Sequence, residues 1–294
     1  MLEYGTTNPE PVQAVHKTTK TTARFDPRRI YTALVLVPLL YAVIRFLPAS
    51  VFTGIVVIAG GMALYELYRL CLPHYYHPTT IGIGLFGSTA LIVSPHEPAL
   101  AIPSLLAALL AILSVPLLVP VPLQDRLREN ALAVTGMLYI GLTLSFLVLT
   151  RMLPHGEWLV FFILLVTWAG DTGAYYAGTL YGQHALAPRI SPKKTVEGLI
   201  GGLIAATMIA YLARWWFMPD LSAFDCVILA IIITLTGLWG DLAESAIKRS
   251  VGAKDSGGVL PGHGGMLDRL DSLLFSAPAF YYYVTVISRL GFYS

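Results

Sequence analysis

Long apolar stretches alternate with short polar segments along the whole chain. Nine such stretches fall at about residues 30–47, 51–70, 79–94, 99–119, 131–150, 158–180, 196–217, 224–244 and 271–290. Most reach the roughly 17–25 residues that an α-helix needs to cross a bilayer. Hydrocarbon offers the backbone no hydrogen-bond partner, so each stretch is expected to be helical. The third is the shortest and carries Gly82, Gly84 and Gly87, so a re-entrant segment is an alternative there. The pattern predicts an all-α, polytopic integral membrane protein with about nine transmembrane helices. It divides into a tail over 1–29, N-terminal membrane helices over 30–155 and a C-terminal membrane region over 156–294.

Composition agrees with this pattern. The 294 residues are 56% hydrophobic and 12% charged. A soluble domain carries about twice that charge. The net charge of +2 gives no reason to expect a nucleic-acid partner. The tail is rich in threonine (Thr6, Thr7, Thr18, Thr19, Thr21, Thr22) and is expected to be disordered and cytoplasmic. No cleavable signal peptide is expected, because the mostly polar tail precedes a first stretch too long for a signal h-region.

The placement of cations orients the helices. If the N-terminus is cytoplasmic and sides alternate, the inner segments hold Lys17, Lys20, Arg24, Arg28, Arg29, Arg69, Arg126, Arg128, Arg189, Lys193, Lys194, Lys248, Arg249, Lys254 and Arg269. The outer segments hold Arg45, Arg151, Arg214 and Arg289. This is the asymmetry that the positive-inside rule demands, and losing one early stretch would scramble it. Cys71 and Cys226 then fall at opposite faces, so no disulfide is expected between them.

Candidate chemistry is concentrated after residue 155. The sixth stretch ends in TWAGDTGAYYAGTLYG, which places Asp171 inside an apolar run, where a carboxylate needs a partner, a metal or water. Gly170, Gly173 and Gly178 permit close helix approach. In SPKKTVEG, Ser191 followed by Pro192 suits a helix N-cap, which would set Lys193 and Lys194 at a helix start. Cations are unfavourable there unless an anion binds, so the pair points to phosphate; an ordinary positive-inside pair is the alternative. Gly198 and Gly202 form a GxxxG pair suited to packing. In GLWGDLAESAIKR, Asp241, Glu244, Ser245 and Lys248 share one helix face. After a glycine-rich turn come His263, a candidate phosphate donor or acid/base group, and then Asp268 and Asp271, three residues apart. With Asp241 these acids offer several hard oxygens to Mg²⁺. In the second stretch, Glu66 is expected to pair with Arg69 one turn on; the alternative is that it lines the same cavity as the other acids.

The densest of these motifs resembles the signature of the phosphatidate cytidylyltransferases, or CDP-diacylglycerol synthases. It reads Ser245-Ala-Ile-Lys248-Arg249, Lys254-Asp255, Pro261-Gly-His263-Gly264-Gly265 and Asp268-Arg269-Leu-Asp271. WAGDTGAYYAG and SPKKTVEG resemble further motifs of that family in the expected order, so the likeness covers roughly residues 165–275.

The resemblance implies that CTP and phosphatidic acid react to give CDP-diacylglycerol and pyrophosphate, with Mg²⁺ and room for a second cation. It implies a site at the cytoplasmic face of a bacterial inner membrane, among membrane lipids. Asp241 and Asp268 are the first-choice metal ligands, followed by Asp171 and Asp271, with Glu244 orienting a ligand or a bound water. Lys193, Lys194, Lys248, Arg249, Lys254 and Arg269 are candidates for the phosphates, together with Ser191 and a nest at Gly264 and Gly265. Catalytic roles fall to Asp241, Asp268, Lys248 and His263. A homodimer is compatible with the small-residue helix motifs. Two rivals are a CTP-dependent lipid alcohol kinase, which would need a base for a hydroxyl, and an ion or lipid transporter, which would place its acids nearer mid-membrane.

Overall fold

The computed structural model describes residues 38–72, 78–118, 123–257 and 264–287. The predicted tail, the first part of the first stretch and His263 lie outside these residues. The chain forms two units, Met1–Leu40 and Tyr41–Ser294, and the second holds the helix bundle. It is an all-α membrane protein. Helix α1 is described over 38–46. It is followed by α2 (Ala49–Cys71), α3 (Pro78–Val93), a 3₁₀ turn (Pro98–Leu100), α4 (Ala101–Leu118), α5 (Leu123–Met152) and α6 (Gly156–Tyr181). A small hairpin, β1 (Ala185–Ala187) with β2 (Ser191–Thr195), leads into α7 (Val196–Trp216), α8 (Ala223–Ser250) and α9 (Leu267–Tyr282), which ends in a π turn at Tyr283–Ile287.

Among the described residues six helices are long and apolar enough to cross a membrane: α2, the 3₁₀ turn with α4, α5, α6, α7 and α8. Helix α3 is apolar but has 16 residues, as short as its apolar run. Large apolar side chains such as Ile58, Leu110, Ile204, Met208, Trp215 and Trp239 point outward. In lipid that exposure carries no hydrophobic penalty, so helix association relies on close fit and on polar contacts.

Close fit is what the interior shows. Helices α6 and α7 cross on small residues. A Cβ at Gly202 would stand 2.9 Å from Gly170 O, one at Gly198 would stand 2.9 Å from Ala174 O, and one at Gly173 would stand 2.7 Å from Gly201 O. The GxxxG pair is therefore a packing motif. Helices α2, α3 and α5 meet around Tyr68, which is fully buried and donates from its hydroxyl to Ala133 O at 2.5 Å. Phe162 of α6 and Phe280 of α9 stack with ring centroids 5.9 Å apart.

The hairpin corrects one expectation. Ser191–Thr195 is a β-strand, antiparallel to Ala185–Ala187 with Ala187 opposite Ser191 and Ala185 opposite Thr195. Helix α7 begins only at Val196, and Thr195 is its N-cap, its Oγ1 accepting from Gly198 N at 3.1 Å. Ser191 and Pro192 do not start a helix, so Lys193 and Lys194 escape the macrodipole. Strand pairing holds 191–195 extended, and Thr195 offers an equally good cap four residues later. Glu197 locks the junction by accepting from the amides of Gln183 at 3.1 Å and His184 at 3.2 Å, and it pairs with His184 Nδ1 at 2.5 Å.

Candidate active site

Four elements bring charged groups together at one end of the helix bundle: α6, β2, α8 and α9. A common device recurs where they meet. In both Trp-Ala-Gly-Asp of α6 and Leu-Trp-Gly-Asp of α8, a glycine precedes the acid. Gly170 lies against α7, and Gly240 lies so close to α9 that a Cβ there would collide with Asp271 O. At Gly240 the missing side chain lets the α9 backbone in, and the next residue projects its carboxylate beside it. Asp241 and Asp271 are thus neighbours because residue 240 has no side chain.

Asp241, Glu244 and Asp271 each offer a carboxylate oxygen, and these oxygens lie within 4.8 Å of one another. Asp171 and Asp271 are both within electrostatic reach of Asp241 and of Lys194. Lys194 forms an ion pair with Asp241 Oδ2, and Ser245 Oγ donates to Asp241 Oδ1 at 3.3 Å. Glu244 is fully buried, with Lys248 Nζ 2.5 Å from its Oε2. Its Oε1 has no hydrogen-bond partner among the described residues. An orphaned oxygen beside two further carboxylates is a donor set that suits a hard divalent cation. The trio could hold one with little rearrangement of the helices.

Asp268 sits beside this trio and is otherwise engaged. Its Oδ1 accepts from Lys248 Nζ at 2.6 Å, and its Oδ2 accepts from Gly265 N at 3.1 Å and Ser256 N at 3.4 Å. Lys248 therefore bridges Glu244 and Asp268, and it is nearly inaccessible, its side chain 11% exposed. Gly264 takes a positive φ of 78°, as a nest requires, but the Gly265 amide is directed at Asp268. Lys193 and Lys254 are exposed. Arg249 is exposed and donates to Ala253 O at 3.0 Å, and Arg269 is exposed on the first turn of α9. Ser191 is half-buried in β2.

Two contributors come from the N-terminal half. Tyr139 of α5 has a buried hydroxyl without a hydrogen-bond partner among the described residues, and it lies within electrostatic reach of Asp271 and Glu244. A tyrosine in an apolar run gives no sequence signal of this kind. Glu66 is 2% exposed and does not pair with Arg69. Its Oε2 instead accepts from Leu267 N at 2.9 Å and Ser256 Oγ at 3.5 Å, while the Arg69 guanidinium lies over the Tyr65 ring, 5.9 Å from its centroid. Glu66 points inward to α9, and Arg69 is exposed.

Comparison with known proteins identifies the family. The model of the cytidylyltransferase family matches residues 27–287. A protein from Staphylococcus saprophyticus named phosphatidate cytidylyltransferase is 42% identical over 150 residues, 51% of this chain and 57% of that protein. One of the same name from Staphylococcus haemolyticus is 41% identical over 150 residues and likewise matched over 57% of its length. In both cases the matched region is little more than half of the relative. A third, from Staphylococcus aureus, is 34% identical over 249 residues, 81% of this chain and 93% of the relative.

Proposed function

Because this chain belongs to the cytidylyltransferase family, we propose that it is a phosphatidate cytidylyltransferase, joining CTP and phosphatidic acid into CDP-diacylglycerol and releasing pyrophosphate. The observation that carries the proposal is the trio Asp241, Glu244 and Asp271 beside Lys194 and Lys248, at the end of apolar helices. A lipid phosphate oxygen attacks the α-phosphorus of CTP, and the bond from that phosphorus to the bridging oxygen of the β-phosphate breaks. The attacking oxygen is already ionised at neutral pH, so no general base is needed. The barrier lies in bringing two anions together and in stabilising the departing pyrophosphate.

The residues divide this work by chemistry. Asp241, Glu244 and Asp271 would hold Mg²⁺, with Asp171 beside them; bound there, the cation neutralises phosphate oxygens and orients them. Lys194 exchanges its carboxylate partner for a phosphate oxygen when substrate arrives. Lys193, Arg249, Lys254 and Arg269 line the approach as charge-assisted donors. Lys248 and Asp268 brace the cluster from behind, and His263 remains a candidate donor to the leaving phosphates.

The purified protein in detergent micelles, given labelled CTP and phosphatidic acid, is expected to form a nucleotidyl lipid only with Mg²⁺ present. Release of CDP with a phosphorylated lipid would establish a kinase instead, and absence of any lipid product would remove the assignment. The cation asymmetry supports a cytoplasmic site, and the bacterial relatives support an inner membrane. In a background lacking Cys71 and Cys226, Gln183→Cys and Asp255→Cys should react with an impermeant thiol reagent in inverted vesicles alone. Labelling in intact cells would reverse the orientation.

A further inference from the structure

Glu66 is a carboxylate almost wholly buried in an apolar helix, 2% exposed. Such a group is unfavourable unless hydrogen-bonded, so what it bonds to is informative. It bonds to two segments far away in sequence. Leu267 N, 2.9 Å from Oε2, belongs to the first residue of α9, and Ser256 Oγ, 3.5 Å away, belongs to the chain leaving α8. The first amides of a helix have no partner within it, and the residue before α9, Met266, makes no side-chain cap. Glu66 supplies the missing cap from α2, with its charge at the favourable end of the helix dipole.

The neighbouring glycines fit the same purpose. A Cβ at Gly257 would stand 3.2 Å from Glu66 Oε1, and one at Gly265 would stand 2.7 Å from Oε2 and overlap Ser256 Oγ. Position 265 must be bare for the carboxylate to enter, and a Cβ at 257 would press on it. Asp268 ties together the same two segments from the other side, through Gly265 N and Ser256 N. Glu66 is not among the three carboxylates that converge, and its Oε1 has no hydrogen-bond partner among the described residues.

We propose that Glu66 is a positioning residue for the transferase reaction: it ties the end of α8 to the first turn of α9, and so sets Asp268 against Lys248 and Asp271 against Asp241. This rests on the proposed transfer reaction. Glu66→Ala is expected to lower kcat by about 10- to 100-fold, as loss of a supporting hydrogen bond to a ligand does, while KM for CTP stays within about threefold. In the same full-length protein in micelles, hydrogen exchange at the Leu267 amide should quicken by at least about tenfold. Glu66→Gln keeps the length and an accepting oxygen, so it should recover most of kcat and of the protection. Glu66→Asp keeps the charge but not the reach, so it should be the poorer of the two.

A folded Glu66→Ala protein with wild-type kcat, or with unchanged exchange at Leu267, would overturn the proposal. So would Glu66→Asp outperforming Glu66→Gln, which decides the matter even where the alanine variant does not assemble. If the unmutated protein makes no nucleotidyl lipid, the reaction is what fails, and the exchange comparison still judges the tie.

Discussion

Asp241→Asn and Asp271→Asn are each expected to cut turnover by at least about a hundredfold, equivalent to about 2.7 kcal/mol of transition-state stabilisation. Both carboxylates belong to the trio whose oxygens lie within 4.8 Å of one another. An amide keeps the volume and one acceptor oxygen but removes the charge that a divalent cation requires. The variants should therefore fold, eluting and melting like the parent in detergent, while the Mg²⁺ concentration for half-maximal activity rises. In Asp241→Asn the change also leaves Lys194 without its ion-pair partner, so KM for CTP is expected to move further there than in Asp271→Asn. Near-parental activity at ordinary Mg²⁺ in either folded variant would remove these residues from the cation site.

Lys248→Met is expected to destabilise the protein by about 3–5 kcal/mol, seen as a much lower melting temperature in detergent. Lys248 is buried and holds two carboxylates at once, Glu244 at 2.5 Å and Asp268 at 2.6 Å. Glu244 is fully buried, so removing the cation strands a negative charge that water cannot reach. The loss arises mainly from that stranded charge and only secondarily from the ion pair's own attraction. Neutralising the partner should then restore much of the stability: Glu244→Gln/Lys248→Met should melt above Lys248→Met alone. Activity should stay low in the double variant, because Glu244 belongs to the converging trio. A Lys248→Met protein that melts like the parent, or a double variant less stable than the single one, would refute this account.

Much of the architecture was legible because membrane helices report themselves locally. An apolar run long enough to span must be helical, and each helix from α2 to α9 overlaps a predicted stretch, most ends agreeing within about two residues and those of α5, α8 and α9 differing by more. Where the boundaries differ, the helix continues into polar sequence: α8 runs to Ser250, so Asp241 through Lys248 lie on one uninterrupted helix as their spacing requires. The GxxxG pair was legible for the same reason, since small residues at that spacing serve close approach.

Expectations that relied on a single local motif fared worse. Ser191-Pro192 is a good helix start by composition, yet a pairing with residues 185–187 holds it in a strand. Arg69 is the nearest cation to Glu66 along α2, yet Glu66 turns to the amide of Leu267, 201 residues away. In each case a hydrogen-bonded pairing, within a hairpin for Ser191 and across 201 residues for Glu66, outweighs a preference worth only a few tenths of a kcal/mol to about 1 kcal/mol.

By itself, then, the sequence determined the helical membrane class, the approximate place of each helix and the inventory of acids and bases that could serve phosphate chemistry. These follow from hydrophobic runs, helical periodicity and residue type, all of which act over a few turns. Only the tertiary structure decided how that inventory is divided. It set Asp241 with Glu244 and Asp271, gave Asp268 to Lys248 and two backbone amides, aimed Lys194 at Asp241 and brought Glu66 to α9. Which carboxylate meets which partner depends on the crossings of α6 with α7 at Gly202 and of α8 with α9 at Gly240, where two helices touch through the absence of a side chain. Such crossings join residues distant along the chain, and no local periodicity encodes the partner.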